Sequence, residues 1–421
     1  MLSFALALTL ALQDGSTANP PKVSKQQIHA AGKVAGLDFS DGELDLLLRG
    51  VNEDVVGYET LFAHRLDNSV APVLGFARFV EAAARGTAKP ALKPVARELP
   101  EVARPANLED LCYADIPTLA GLIRSRKVSC SELVEMHLAR LKRLDPKLLC
   151  VITLCEERAR AQAAQLDAEL SEGKWRGMLH GLPWGAKDLL ATRGVRTTWG
   201  SVPYQEQVID LDATVVRKLD EAGAILIAKL TLGELAMDDE WFGGTTKNPW
   251  KLDQGSSGSS AGPASATAAG CVAFAIGSET CGSLMSPSAR CGVSSIRPTY
   301  GLVSRHGAMA LSWSMDKLGP MARSMGDASI VLATIAGVDP LDEETIAAPY
   351  VDPGAQSVKG WRVGYLESGW RNEAHRAEAL DPLRALGVEL VAVELPKTPS
   401  RELMTILVAE AAASFDELTR S

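Results

Sequence analysis

The chain has 421 residues, of which 46% are apolar and 23% charged, a composition of ordinary soluble proteins and a length for two or three domains or one large catalytic domain with appendages. With 43 Lys and Arg against 52 Asp and Glu, the net charge of -9 at pH 7 repels a phosphate backbone, so nucleic acid is not an expected partner. No apolar run reaches the roughly 18 residues that a spanning helix needs, so no membrane span is expected.

Residues 1–18 hold an apolar run, Leu2 to Leu12, followed at once by the polar stretch Gln13 to Lys22. That is the layout of an export signal, and Ser16 and Ala18 suit its small-residue cleavage positions. Export is therefore the expectation, although no Lys or Arg precedes the run; the alternative is an apolar N-terminal helix on a cytoplasmic chain. Residues 19–107 read as a helical extension and linker. Apolar residues recur at helical spacing in Ile28–Ala35 and Leu44–Val51, and Pro90, Pro94, Pro100 and Pro105 then block regular structure from Ala84 to Asn107.

After the linker, Ser129 with Glu132 forms a capping box, and the helix it opens is expected to stop near Leu144, before Asp145-Pro146. A second helix is expected over Glu156–Ser171. The apolar run Ala224–Ala228 marks a strand buried on both faces, after which Thr231 and Glu234 are expected to cap another helix. Strand, helix, strand and helix follow at Trp361–Leu366, Glu373–Leu386, Glu389–Val393 and from about Arg401. This alternation is α/β. The seven cysteines form no CxxC pair and read as buried small hydrophobes, so neither a metal nor a cofactor is expected.

Between Gly255 and Gly301, 8 of 47 residues are Gly and 11 are Ser, with only Glu279, Arg290 and Arg297 charged. A flexible linker would share that composition, but Cys271–Ile276, Val293, Ile296 and Tyr300 interleave apolar residues, so the segment packs. Packed small residues bring backbones close and expose N–H groups, as anion or oxyanion binding requires. The segment contains no Lys and no GxGxxG, which disfavours a nucleotide cradle. Serine chemistry needs a base. GSSAG (Gly258–Gly262) matches GxSxG, with Ser260 central and His306 and His375 downstream, yet a stretch this rich in Ser produces that match easily. The better base is Lys187 in GLPWGAKD, followed by the apolar pair Leu189 and Leu190; burial there would lower its pKa. For this octapeptide alone, a surface lysine after a turn is the alternative.

Taken together, GLPWGAKD (Gly181–Asp188), NPW (Asn248–Trp250), GSSAGPASATAAG (Gly258–Gly270), GSETCGS (Gly277–Ser283), RPTYGLVSRHG (Arg297–Gly307) and SMDKLGP (Ser314–Pro320) resemble the amidase signature family in order and spacing. The resemblance implies a mixed twisted β-sheet flanked by α-helices, with 108–421 as the amidase signature domain. It also implies a Ser-cisSer-Lys triad: Lys187 as base, Ser259 as bridging serine and Ser283 as nucleophile. Thr280, Cys281, Gly282 and Ser283 would form the oxyanion hole, and Ser260 would support the triad or bond local backbone. The expected partner is a small-molecule amide, with a homodimer left open. Glu279, Cys281 and Met285 stand where the family usually carries Asp, Gly and Arg, and the loss of that Arg favours a neutral acyl group. The family normally continues beyond the point matching Ser421, so the domain is expected to be short at its C-terminus. A stand-alone amidase acting on a linear carboxamide is the leading function; the glutaminase component (the A subunit) of a tRNA-dependent amidotransferase is the alternative.

Overall fold

The computed structural model describes residues 22–63, 97–347, 350–354, 356–368, 370, 372–395 and 402–420. The export segment expected over 1–18 and residues 84–96 of the expected linker lie outside them. Ser24 and Gln27 cap each other's backbone to start α1 (Lys25–Val34), which packs on α2 (Asp41–Ala63). Past the linker, Asp115 caps α3 (Ile116–Arg124), and the expected Ser129–Glu132 box opens α4 (Cys130–Leu148).

The main sheet has six strands. In chain order they are β1 (Val151–Leu154), β2 (Pro183–Lys187), β3 (Ile225–Leu230), β8 (Phe274–Glu279), β9 (Ser294–Ser295) and β10 (Lys317–Ala322). Two short hairpins intervene, β4 (Glu240–Trp241) with β5 (Gly244–Thr245) and β6 (Lys247–Asn248) with β7 (Lys251–Gly255). Spatial order is β1-β3-β2-β8-β10-β9; β2 runs parallel to β3 and β8, while β1, β10 and β9 pair antiparallel. The flanking helices are α4, α5 (Glu156–Ser171), α6 (Thr214–Glu221), α7 (Ala261–Ala268), α8 (Met285–Cys291) and α9 (Met325–Ile335). Every residue of β2, β3 and β8 is buried, as continuous apolar runs covered on both faces require.

An aromatic pair aligns the central strands. Trp184 and Phe274 are register partners on β2 and β8, stacked with centroids 6.1 Å apart at 4°, and both are fully buried. Burying two such side chains contributes on the order of 4–6 kcal/mol, and their register brings Lys187 and Ser278 to the same end of the sheet. That end carries the carboxyl termini of parallel strands, where open α/β sheets hold ligands.

Two expectations are corrected. Pro146 does not stop α4 near Leu144: it sits in the last turn, the helix runs to Leu148, and Leu149 ends it at φ 50°. Asp145 accepts from the amides of Cys150 (2.8 Å) and Val151 (2.9 Å), which supports this longer end. Thr231 and Glu234 open no α-helix. Thr231 bonds Thr246 (2.7 Å), Glu234 accepts from Ser201 (2.7 Å), and the chain makes only a tight turn with Leu235 at φ 50° and Ala236 at φ 63°. Gly233 permits it, since a Cβ there would lie 1.8 Å from the Met237 carbonyl. The expected strand, helix, strand and helix near the end are present: β11 (Arg362–Leu366) and β12 (Glu389–Val393), joined by α10 (Glu373–Ala385), form a separate parallel pair outside the main sheet, and α11 (Met404–Ser414) and α12 (Asp416–Arg420) end the described chain.

Candidate active site

GLPWGAKD reads as turn chemistry, yet its Pro183–Lys187 stretch is a central buried strand, with proline at the first position, where a missing N–H is tolerated. Lys187 closes that strand at 0% exposure. Its Nζ lies 2.8 Å from Ser259 Oγ, 3.1 Å from Ser260 Oγ and 2.8 Å from Ser278 Oγ. Burial pushes its pKa from 10.5 down to about 7, opposed by the charges of Asp316 and Glu279. A fall of that size disfavours the ammonium by roughly 5 kcal/mol.

The three contacts suit a neutral amine, which has two N–H donors and one lone pair. Ser260 Oγ donates to the Ser278 carbonyl (3.0 Å) and accepts from the Ser278 amide (3.2 Å), so toward Lys187 it can only accept. One N–H goes there. As an ammonium, Lys187 donates to all three hydroxyls; once neutral, it offers Ser259 and Ser278 one N–H and one lone pair, so one of them then donates a hydrogen bond to the nitrogen. Ser260 thus bonds the lysine, as expected, but the backbone it bonds is that of Ser278, 18 positions away on β8, and not the local backbone. Among the described residues no histidine bonds Ser260 Oγ, which speaks against the GxSxG reading of Ser260.

Ser259 follows a cis peptide bond from Gly258, the arrangement the resemblance implies. α7 begins directly after Ser260, and its eight small residues are all buried. Gly277 makes the close approach to β8 possible: a Cβ there would stand 2.6 Å from Ser260 Oγ. Ser283 lies on the adjoining loop, partly exposed, and its carbonyl accepts from the Ser260 amide at 3.1 Å. The two serine loops therefore touch through backbone. Among the described residues no hydrogen bond joins Ser259 Oγ to Ser283 Oγ.

The expected oxyanion loop needs one correction. Glu279, wholly buried at the end of β8, accepts from the amides of Gly282, Leu284 and Met285. The Gly282 N–H is therefore taken up by a carboxylate and is not free for a substrate oxygen. Thr280 is held through its hydroxyl, which donates to Asp316 (2.6 Å), and Cys281 is exposed, unlike the six buried cysteines. Where the family usually places Arg, Met285 is half-exposed, and a different cation, Arg297, comes within 3.8 Å of Glu279.

Ser278, Asp316 and Lys229 escaped sequence reasoning. Lys229 and Asp188 form a wholly buried pair at 2.8 Å, and Asp188 also accepts from the Thr198 amide (2.7 Å) and hydroxyl (2.6 Å). This knot fixes the chain directly after Lys187. A lysine ending the apolar run of β3 was its available signal.

Glu279→Gln is expected to lower kcat about 10- to 100-fold, because an amide group replaces one acceptor oxygen that the nucleophile loop uses. Glu279 also favours the Lys187 ammonium, so the variant's rate should begin to rise at lower pH. A pH–rate profile measured beside the unmodified protein checks both; an unshifted profile would limit Glu279 to loop support.

A mixed sheet with a buried lysine facing clustered serines at its strand ends matches the class of protein that the sequence motifs suggested. The chain belongs to the amidase signature family, whose model, described as Amidase, matches residues 132–420. Among curated relatives, the A subunit of glutamyl-tRNA(Gln) amidotransferase from Anaeromyxobacter dehalogenans (strain 2CP-C) is 40% identical over 318 residues, covering 73% of this chain and 65% of the relative. The protein of the same name from Roseiflexus sp. (strain RS-1) is 39% identical over 300 residues, 68% of this chain and 61% of its own. The chain thus spans less than two thirds of the length of these relatives. Among solved structures, native peptide amidase from Stenotrophomonas maltophilia aligns with TM-score 0.66 and 33% identity over 73% of this chain and 69% of that one. The A subunit of the Thermotoga maritima glutamyl-tRNA(Gln) amidotransferase superposes with TM-score 0.63 and 30% identity over 76% and 69%.

Proposed function

We propose that this chain hydrolyses a linear carboxamide through a seryl acyl-enzyme. The observation that carries the reading is the buried Lys187 amine within 2.8 Å of Ser259, its pKa lowered to about 7. Neutral Lys187 takes the proton of Ser259, Ser259 takes that of Ser283, and Ser283 Oγ attacks the amide carbon. The amides of Thr280, Cys281 and Ser283 receive the negative charge on the carbonyl oxygen. The tetrahedral intermediate collapses as the C–N bond breaks, and the relay run backwards protonates the leaving amine. Water then attacks the acyl-enzyme and releases the acid. The Ser259–Ser283 hydroxyl contact closes as substrate arrives, since catalytic hydrogen bonds tighten in the bound complex.

A second reading, the glutaminase component of a tRNA-dependent amidotransferase, is supported by 40% identity to proteins of that name. An export signal in residues 1–18 would separate the chain from tRNA and favour the stand-alone amidase. Ammonia release from a panel of primary amides that includes glutamine distinguishes the two. A stand-alone amidase turns over neutral amides by itself, whereas glutamine as the sole substrate, hydrolysed only with added partner subunits, would establish the second reading.

A further inference from the structure

A cavity of about 240 Å³ borders Ser278 and Thr280 and is walled by Met309, Leu311, Trp313, Leu318 and Leu341. Its volume falls below the range of drug-sized ligand pockets and suits a single ring or short chain. Arg305 and Asp342 also line it, and they answer each other. The Arg305 guanidinium meets Asp342 at 3.4 Å, donates to the Trp313 carbonyl at 2.5 Å and lies 4.6 Å above the Tyr300 ring. Asp342 further accepts from the Arg305 amide at 2.7 Å. Asp316, the other carboxylate of the wall, is held by Thr280 Oγ1 and by the amides of Leu311 (2.8 Å) and Ser312 (3.0 Å). Nearby Lys317 donates to the carbonyls of Met315 and Thr280. Each of these cations and carboxylates is thus already bonded within the protein. A substrate bringing a carboxylate or ammonium would lose its water and find no unpaired cation or carboxylate in the wall, only the Nδ1 of His306, unpartnered among the described residues; that costs far more than burying an uncharged group.

We infer that this cavity receives the acyl group of the amide, that it selects an uncharged apolar or aromatic one, and that Asp342 sets this preference by occupying Arg305. The inference rests on the amidase reading and names its substrate class. Half-exposed Trp313 supplies the aromatic face at the rim.

Calorimetric binding to full-length Ser283→Ala protein tests the cavity apart from the reaction. The probes are 3-phenylpropanamide, succinamic acid and L-glutamine. The arylalkyl amide is expected to bind about 100-fold tighter than either charged probe. Asp342→Ala in that background, which frees Arg305, should narrow the gap to succinamic acid about tenfold. Trp313→Ala should weaken the arylalkyl amide about tenfold and serves as the second variant if loss of Asp342 prevents folding. Equal or tighter binding of glutamine or succinamic acid, no binding of the arylalkyl amide, or an unchanged ratio in a folded Asp342→Ala protein would each overturn the inference. Selective binding accompanied by no hydrolysis in the unmodified protein would uphold the cavity's preference and refute the amidase reading alone.

Discussion

Lys187→Ala is expected to lower kcat by about three to four orders of magnitude in a protein that still folds. Removing the amine takes away the only base among the described residues that bonds Ser259, so both serines lose their proton acceptor together. Folding should survive because the loss also removes the penalty of holding a lysine in an apolar site, where burial already disfavours its charge. In the unmodified enzyme the lysine is mostly protonated below its pKa of about 7 and neutral above it. Activity should therefore rise with pH through about 7 and level off beyond it. Arginine stays protonated at every working pH, so Lys187→Arg should remain inactive. Near-native kcat in Lys187→Arg, or a rate independent of pH from 6 to 8, would reduce the residue to a fixed positive charge and end the Lys–Ser–Ser relay for this protein.

Ser283→Ala should abolish turnover, by about five orders of magnitude or down to background, because no acyl bond can form without the nucleophile. Ser260→Ala should be much milder, about 10- to 100-fold. Its hydroxyl bonds Lys187 and both backbone groups of Ser278, so truncation leaves polar groups unpaired without removing a proton-transfer step. A fluorophosphonate probe followed by peptide mapping separates the two serines: label on Ser283 is expected, and label on Ser260 with Ser283 spared would reverse the assignment.

Much of this architecture was legible because short-range chemistry dictated it. The box Ser129–Glu132 opens α4 since both partners lie within one turn, and Ile225–Leu230 forms a strand since six consecutive buried residues suit a central position better than any surface one. Lys187, Ser259 and Ser260 emerged as site residues from motif order, and the structure gathers them around one nitrogen. Local signals misled where another partner, distant for Thr231 and Glu234 and close by for Pro146, took over. Thr231 and Glu234 have the spacing of a helix cap, but Thr246 and Ser201 claim their oxygens, and Pro146 stays helical because Asp145 binds the amides beyond it.

What the sequence determined by itself was the family, the α/β class and the chemical identity of the lysine and serines, because ordered motifs and apolar periodicity are properties of consecutive residues. Only the tertiary structure decided which groups those residues meet. Ser278 joins Lys187 across 91 positions, Asp188 finds Lys229 on the neighbouring strand, and Asp342 neutralises Arg305 in the cavity wall. Such pairings depend on strand order, register and burial. Proton affinity follows the same rule, for the drop of Lys187 to about 7 comes from the desolvation that the assembled fold imposes.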